Sequence, residues 1–339
     1  MNTESQNYAI YEHNFFPDVE QPLLKVLMSQ YKLCNGNSMV KVIGQSGASS
    51  LGFTPNTIGA FSEALECAQG FSASLTSSVD GTVFCIEDIV RNDDCVEYNL
   101  EPLLSEDSFF KLGHRRIDEM MAEEISSLRL KNGERIVSLN DVLPLLRTYP
   151  SARAFLKLRG ASVVKDTIST LKTALEDHHI RDNQIIVMGY DPASLQAFRT
   201  HLPNVRVGII FFPETFPRGV KLFPWSTSNY SCYIPYKAEA LESPILKRLN
   251  PDIFVLEVTT LRESVLRTLQ RHYKGATLAL WYDKEPHPEE GFPLLERLKN
   301  EVTSPHIRHV LTKTPRQLVS YLKKQGIRFR DLSQMQVPG

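Results

Sequence analysis

The chain has 339 residues, enough for one large domain or two ordinary ones, and 42% of them are hydrophobic. Its charges nearly cancel, with 38 Lys and Arg against 39 Asp and Glu, which excludes a whole-molecule field that would attract nucleic acid or an anionic membrane. The 5 cysteines form no C-x-x-C pair, which argues against both a zinc site and a disulfide framework.

Short apolar runs rich in Val, Ile and Phe alternate with amphipathic segments of helical length from about residue 41 to residue 325. Nine runs have the character of strands, and they begin near Lys41, Phe71, Thr82, Arg153, Gln184, Val205, Asp252, Ala276 and Ile307. Only a short turn with Asp80-Gly81 separates the second run from the third, so these two form a hairpin, since parallel neighbours need a longer crossover. The remaining eight predict an α/β fold, a closed (β/α)₈ TIM barrel.

Helix starts are well marked between these strands. Asn56-Thr57 precedes an amphipathic segment, Ser162 opens a second, and Asp191-Pro192 places proline at the first helical position of a third. We therefore predict an N-terminal extension over residues 1–40, a barrel over 41–325 and a C-terminal tail over 326–339. Residues 87–150 are too long for a plain crossover and predict an inserted segment after the second strand.

A long connection over residues 212–251 carries Pro213, Pro217, Pro224, Pro235 and Pro244 among aromatic residues, and connections of this length are usually functional. Aromatic side chains dominate interface hot spots, so this connection predicts a protein partner. Burial of half of the aromatic residues in the core is an equally good interpretation. The set is Phe211, Phe212, Phe216, Phe223, Trp225, Tyr230, Tyr233 and Tyr236.

None of the following histidines is predicted to be a catalytic or metal-binding group. His114-Arg115-Arg116 precedes an acidic helix and indicates a solvated or partner-facing cluster. His178-His179 ends a helix, where histidine interacts favourably with the helix dipole. His287, His306 and His309 lack a converging set of carboxylates. The motifs of acyl-transfer hydrolases, nucleoside triphosphate enzymes and dinucleotide enzymes do not occur.

The opening segment, Val42-Ile43-Gly44-Gln45-Ser46-Gly47-Ala48-Ser49 followed by Pro55-Asn56-Thr57, resembles the start of the glycerophosphodiester phosphodiesterase family. In that family a strand ends in His-Arg-Gly-Ala-Ser, and Pro-Glu-Asn-Thr precedes a helix. Further matches follow the chain to about residue 322, namely Asp80-Gly81, Ala154-Phe155-Leu156-Lys157 for Ile-Glu-Ile-Lys, Trp281-Tyr282 for Trp-Thr, and Thr312-Lys313-Thr314-Pro315 for Thr-Asp-x-Pro. The resemblance implies a TIM barrel of the PLC-like phosphodiesterase type.

The resemblance also shows what has been replaced. Family members cleave phosphodiesters with a divalent cation held by carboxylates and with two histidines that move protons. Here the histidine positions are Gln45 and Glu87, an arginine position is Ser46, and the carboxylate positions are Pro55, Ser72, Ser74 and Phe155, while Lys157 is kept. Neutral hydroxyls and a phenyl ring cannot hold a hard cation. We therefore predict no metal, no cofactor and no catalytic residue.

The resulting prediction is a catalytically inactive pseudoenzyme that acts as a protein-binding or scaffold component in the cytoplasm. The sequence shows no signal peptide and no membrane span, although export without a cleaved signal remains open. One alternative is a phosphoric diester hydrolase with a rebuilt site that recruits Glu87, Asp88 and Lys157. A second alternative is a non-hydrolysing sensor of a glycerophosphate-like ligand, which would bind among Gln45, Ser72, Ser74, Lys157 and Trp281. The competing interpretation of Lys157 is an ion pair with Glu87 or Asp88.

Overall fold

The structure is a computed structural model that describes residues 40–49, 52–86, 91–92, 95–96, 103–113, 115–159, 162–177, 180–211, 241–258, 261, 263–281 and 307–324. Within these ranges no helix has the length and apolar character needed to cross a membrane. The predicted N-terminal extension and C-terminal tail lie outside the described residues, as do Glu87, Asp88, the aromatic connection from 212 to 240, and His114, His178, His179, His287 and His306.

Eight parallel strands close into a barrel. They are β1 (Lys41–Gly44), β2 (Gly70–Ser77), β6 (Arg153–Leu158), β7 (Ile185–Gly189), β8 (Arg206–Ile210), β9 (Ile253–Glu257), β10 (Thr277–Trp281) and β11 (Ile307–Thr312). Each strand pairs with the next along the chain, and β1 pairs with both β11 and β2, which closes the sheet. The predicted (β/α)₈ fold is therefore confirmed, and every predicted barrel strand begins within one residue of its observed start.

The hairpin predicted at Asp80-Gly81 is also present. Strand β3 (Val83–Cys85) runs antiparallel to the end of β2, with Leu75 opposite Cys85, and Gly81 in the turn has a φ of 84°. β1 pairs with β2 only at the beginning of β2, through Gly44 and Phe71. Further along the same edge, towards the carboxyl end of β2, β3 is the pairing partner. A two-residue pair, β4 (Arg91–Asn92) with β5 (Cys95–Val96), was not predicted because such short strands carry no hydrophobic period.

Helices fill the connections that the structure describes. They are α1 (Ile58–Cys67), α2 (Glu106–Leu112), α3 (Ala122–Ser127), α4 (Leu139–Thr148), α5 (Ser162–Glu176), α6 (Pro192–His201), α7 (Pro244–Leu249), α8 (Glu263–His272) and α9 (Pro315–Lys324), with 3₁₀ turns at Ile117–Glu119 and Asp182–Gln184. The predicted starts are confirmed, since Thr57 caps α1 by accepting from Ala60 N at 3.3 Å and Asp191 caps α6.

The barrel strands alternate between two cores because successive side chains of a strand point to opposite faces. Outward-facing residues pack under the helices in one large cluster. The inward-facing ones fill the barrel, and they are Ile43, Phe155, Ile186, Met188, Ile210, Ile253, Val255, Ala279 and Leu311. Phe211 belongs to the outer cluster, is 1% exposed and stacks on Phe254, so it is a core residue and not an interface aromatic.

The segment that follows the hairpin has an apolar cluster of its own. Its buried residues are Phe84, Ile86, Leu104, Leu112, Ile117, Met120, Ile125, Leu128, Leu130 and Ile136. Helix α4 instead packs into the outer layer of the barrel. On the exposed side of the segment, Arg115 pairs with Glu124 at 2.8 Å and Arg116 with Asp118 at 2.7 Å. These ion pairs agree with a solvated cluster at this position.

Candidate functional site

The carboxyl ends of the eight barrel strands meet at one end of the barrel, which we call the mouth, and barrel enzymes bind their ligands there. The β1–α1 turn is tied to β2 at this end by two hydrogen bonds and closed by a third. Ser46 N donates to Ser72 Oγ at 3.1 Å and Ser74 N donates to Asn56 Oδ1 at 3.1 Å, while Asn56 N donates to Ser46 O within the turn at 2.9 Å. These bonds fix the turn against the first inward-facing polar residues of the barrel.

Glycine is required in the same turn. Gly47 has a φ of 82°, and a Cβ added there would lie 2.5 Å from the carbonyl carbon of Ala60 in helix α1. Ser46 and Asn56 also adopt left-handed backbone conformations, with φ of 51° and 59°. The turn therefore approaches the helix too closely for any side chain at Gly47, which explains the Gly at the centre of the opening motif.

Three of the four residues at the family's carboxylate positions, Ser72, Ser74 and Phe155, lie on adjacent strands of the barrel. On β2, Ser72 pairs in register with Phe155, and Ser74 pairs with Lys157. Ser72 and Ser74 are 5% and 3% exposed, and Phe155 is fully buried. The register thus brings the expected positions together, but with two hydroxyls and a phenyl ring in place of carboxylates.

These residues do not fit a divalent metal. Mg²⁺ and Ca²⁺ need several oxygen ligands that are mostly carboxylates, and Ser72 Oγ already accepts a backbone hydrogen bond. No group of three or more His, Cys, Asp and Glu side chains converges anywhere in the described part of the chain. Glu87 and Asp88, the acidic residues that the sequence placed nearest, lie outside the described residues.

One wall of the mouth is positively charged. Lys157 Nζ lies 5.6 Å from the ring centroid of Tyr190, the residue that follows β7, and Arg159 follows β6. Burial opposes ionisation of the Tyr190 hydroxyl, yet the charges of Lys157 and Arg159 and a hydrogen bond with Lys157 leave its pKa below the ordinary value. The electrostatic potential at this wall therefore favours negative charge.

The opposite wall presents two buried polar atoms without partners. Gln45 Oε1 and Trp281 Nε1 make no hydrogen bond to any described residue, although the Gln45 backbone N donates to Thr312 O at 2.7 Å. Trp281 packs on the inward-facing cluster, and its register partner on β9 is Glu257, which is 3% exposed. Buried polar atoms are normally hydrogen-bonded, so a polar group in the barrel mouth could satisfy both this acceptor and this donor.

The structure thus brings together Ser72, Ser74 and Lys157 on adjacent strands and puts Trp281 across the barrel, on β10. Sequence reasoning missed Tyr190 and Glu257 as site residues. A usable signal was present, because each is a polar residue at or just past the end of an apolar strand and has the same parity as the inward-facing residues. Whether the predicted residues bind a ligand remains a prediction.

No protein-family model matches the sequence, and no curated protein matches it. Solved structures do share its fold. A candidate glycerophosphoryl diester phosphodiesterase of Silicibacter pomeroyi matches with a TM-score of 0.62 and 16% identity, over 89% of this chain and 99% of that one. A glycerophosphodiester phosphodiesterase of Parabacteroides distasonis matches with a TM-score of 0.58 and 14% identity, over 86% of this chain and 100% of that one. A phosphodiesterase of Oleispira antarctica, solved in complex with the product sn-glycerol-3-phosphate, gives a TM-score of 0.56 and 13% identity, over 84% and 97%. At such identities the likeness shows the fold.

Proposed function

We propose that this chain is a degenerate member of the glycerophosphodiester phosphodiesterase family that binds a phosphate-bearing ligand at the barrel mouth without hydrolysing it. One observation carries the proposal. Where the family's metal would need carboxylates, β2 and β6 set Ser72 beside Phe155 and Ser74 beside Lys157. The scaffold of the site is retained, while hydroxyls and a phenyl ring stand where carboxylates would hold the metal, beside Lys157.

Loss of hydrolysis follows from the chemistry that the replaced residues supplied. A positioned acid or base contributes roughly a hundred- to ten-thousand-fold in rate, and a metal adds several kcal/mol of transition-state stabilisation. Gln45 cannot exchange protons near neutral pH, and Phe155 offers a cation no ligand. Fold and catalysis separate readily in barrels, because packing of strands and helices maintains the fold while a few residues at strand ends carry out the reaction.

Retention of a ligand is supported by the two walls of the mouth. Lys157, Arg159 and the hydroxyl of Tyr190 can donate charge-assisted hydrogen bonds to phosphate oxygens. Across the barrel, Gln45 Oε1 and Trp281 Nε1 can accept from and donate to a hydroxyl group. Glycerol 3-phosphate carries both functions, and it is the product bound by the Oleispira antarctica structural neighbour.

Binding is tested by calorimetry with glycerol 3-phosphate, with and without EDTA. We expect affinity that EDTA leaves unchanged and that Lys157→Met weakens roughly ten- to hundredfold, since hydrogen bonds to charged groups contribute about 1.5–3 kcal/mol. Lys247→Met is the matched control, because Lys247 is exposed in the last turn of α7, at the other end of the barrel. No heat or thermal shift at millimolar ligand would rule out the phosphate-bearing ligand.

The two other functions predicted from the sequence rest on residues outside the described part of the chain. A protein partner depends on aromatic residues of the 212–240 connection, and a rebuilt hydrolase depends on Glu87 and Asp88. Both stay predictions. Turnover that is lost in a Glu87→Gln, Asp88→Asn double variant would favour the hydrolase over the binding protein.

A further inference from the structure

The seam of the barrel, where β1 meets β2, has little of the usual pairing between strands. Among the described residues, Gly44 and Phe71 form the single register pair of this seam, whereas β2 pairs with β6 over six positions from Gly70 to Leu75. A buried backbone N–H that lacks a partner in the ladder must find another acceptor. The mouth end of the seam therefore depends on hydrogen bonds of another kind.

Side-chain oxygens take the place of the missing ladder. Ser72 Oγ accepts from Ser46 N at 3.1 Å, and Asn56 Oδ1 accepts from Ser74 N at 3.1 Å. The carbonyl of Ser74 accepts from Ile86 N at 2.8 Å, just past the return arm of the hairpin. The backbone of Ser74 is thus shared between the β1–α1 turn, through its N–H, and the hairpin, through its carbonyl.

Asn56 is the centre of this arrangement. It is 5% exposed, and its backbone N donates to Ser46 O at 2.9 Å while its side chain accepts from Ser74. Its φ of 59° lies in the left-handed region, which Gly and Asn tolerate better than other residues. The next residue, Thr57, is the N-cap of α1. One asparagine therefore joins the turn, strand β2 and the start of the helix.

Gln45 depends on this turn more than Lys157 does. The Gln45 backbone N is anchored to Thr312 O on the β11 side at 2.7 Å, and the following residue, Ser46, is held by Asn56 and Ser72. Lys157 lies within the paired part of β6, with register partners on both β2 and β7. Loss of the Asn56 side chain should therefore disturb Gln45 and leave Lys157 in place.

We propose that Asn56 is a positioning residue that sets the preference of the mouth for a phosphate ester of a polyol over inorganic phosphate. It acts through the turn, because it holds Gln45, whose buried Oε1 has no partner among the described residues, as an acceptor for a ligand hydroxyl. Lys157 contacts the phosphate of either ligand. The inference rests on the proposed binding of glycerol 3-phosphate at the mouth.

The test is calorimetric titration of the full chain with glycerol 3-phosphate and with inorganic phosphate. The readout is the ratio of the two dissociation constants, which a loss of stability alone does not change. Asn56→Gly keeps the left-handed backbone and removes Oδ1, so it should weaken glycerol 3-phosphate binding roughly tenfold and change phosphate binding by no more than about twofold. Asn56→Asp keeps an acceptor for Ser74 N. Its added charge weakens both ligands, so the ratio should stay near that of the parent protein.

Asn250→Gly is the matched control. Asn250 is also left-handed, with a φ of 46°, and it caps α7 just before β9, at the end of the barrel where the strands begin. This variant should leave both affinities unchanged. Ser72→Ala removes the acceptor of Ser46 N and should lower the preference for glycerol 3-phosphate in the same way, which keeps the test decisive if Asn56→Gly does not fold.

Two results would overturn the inference while the proposed function stands. One is a parent-like ratio in Asn56→Gly or, if that variant does not fold, in Ser72→Ala. The other is a ratio in Asn56→Asp that falls as far as in Asn56→Gly, since an acceptor at this position would then not matter. A parent protein that binds neither ligand would instead refute the proposed function, and this inference with it.

Discussion

Phe155 provides the most informative perturbation, because it occupies a carboxylate position of the family and is fully buried inside the barrel. Replacing a buried phenylalanine by alanine costs about 3–5 kcal/mol of unfolding free energy, from lost apolar burial and from the cavity that remains. We expect Phe155→Ala to lie in the upper part of this range. The strands beside it, which carry Ser72 and Ile186 as register partners, belong to a closed barrel that cannot collapse into the space.

Phe155→Glu restores the family's residue and should be worse. It loses the same burial and adds a carboxyl group, and desolvating that polar group costs a further 1–3 kcal/mol or so. The sum approaches the whole stability of a typical domain, about 5–15 kcal/mol. Urea unfolding followed by tryptophan fluorescence, with and without millimolar Mg²⁺ or Ca²⁺, measures both variants. A Phe155→Glu protein as stable as the parent, or one stabilised by metal, would refute the view that this position has become core.

Three other predictions rest on single features. Below about pH 6.5 His309 is protonated in the unfolded chain but not in the folded one. The free energy of unfolding should therefore fall on acidification by up to about 1.4 kcal/mol per pH unit. His309→Gln should remove this dependence in urea titrations made without phosphate or sulfate. Trp281→Phe deletes the orphaned N–H and should weaken glycerol 3-phosphate binding roughly fivefold, with inorganic phosphate unaffected; equal losses for both ligands would contradict a role in hydroxyl recognition. Gly47→Ala should lower the free energy of unfolding by several kcal/mol because the added methyl group clashes with Ala60. Gly133→Ala, at a φ of 84° with open space around it, should lower it by only about 1 kcal/mol in the same unfolding assay. Similar losses for both variants would argue against the close approach of Gly47 to Ala60.

The barrel could be predicted from the sequence because its strands are apolar runs that are separated by helices with clear caps. Thr57 and Asp191 are the N-caps of helices, as their residue types indicate. The connection that contains Asp80-Gly81 is too short for a parallel crossover, which identifies the hairpin. The closed sheet follows from the strand count, since eight parallel strands form a barrel in which no edge is left open.

The site could be predicted only in part. The family's positions on β2 and β6 were found by their motifs, and the register brings them together. Tyr190 and Glu257 were missed because their position at a strand end and their parity become informative only with the neighbours that the closed sheet supplies.

The central claim, that this barrel binds but does not cut, is tested most directly by hydrolysis of glycerophosphocholine and glycerophosphoethanolamine with Mg²⁺, Ca²⁺ or Mn²⁺. An active enzyme of the same fold serves as the positive control. We expect no turnover above background with any metal, while glycerol 3-phosphate still binds in a manner that depends on Lys157. Metal-dependent turnover that disappears in the Glu87→Gln, Asp88→Asn double variant would contradict the claim and reveal a rebuilt active site.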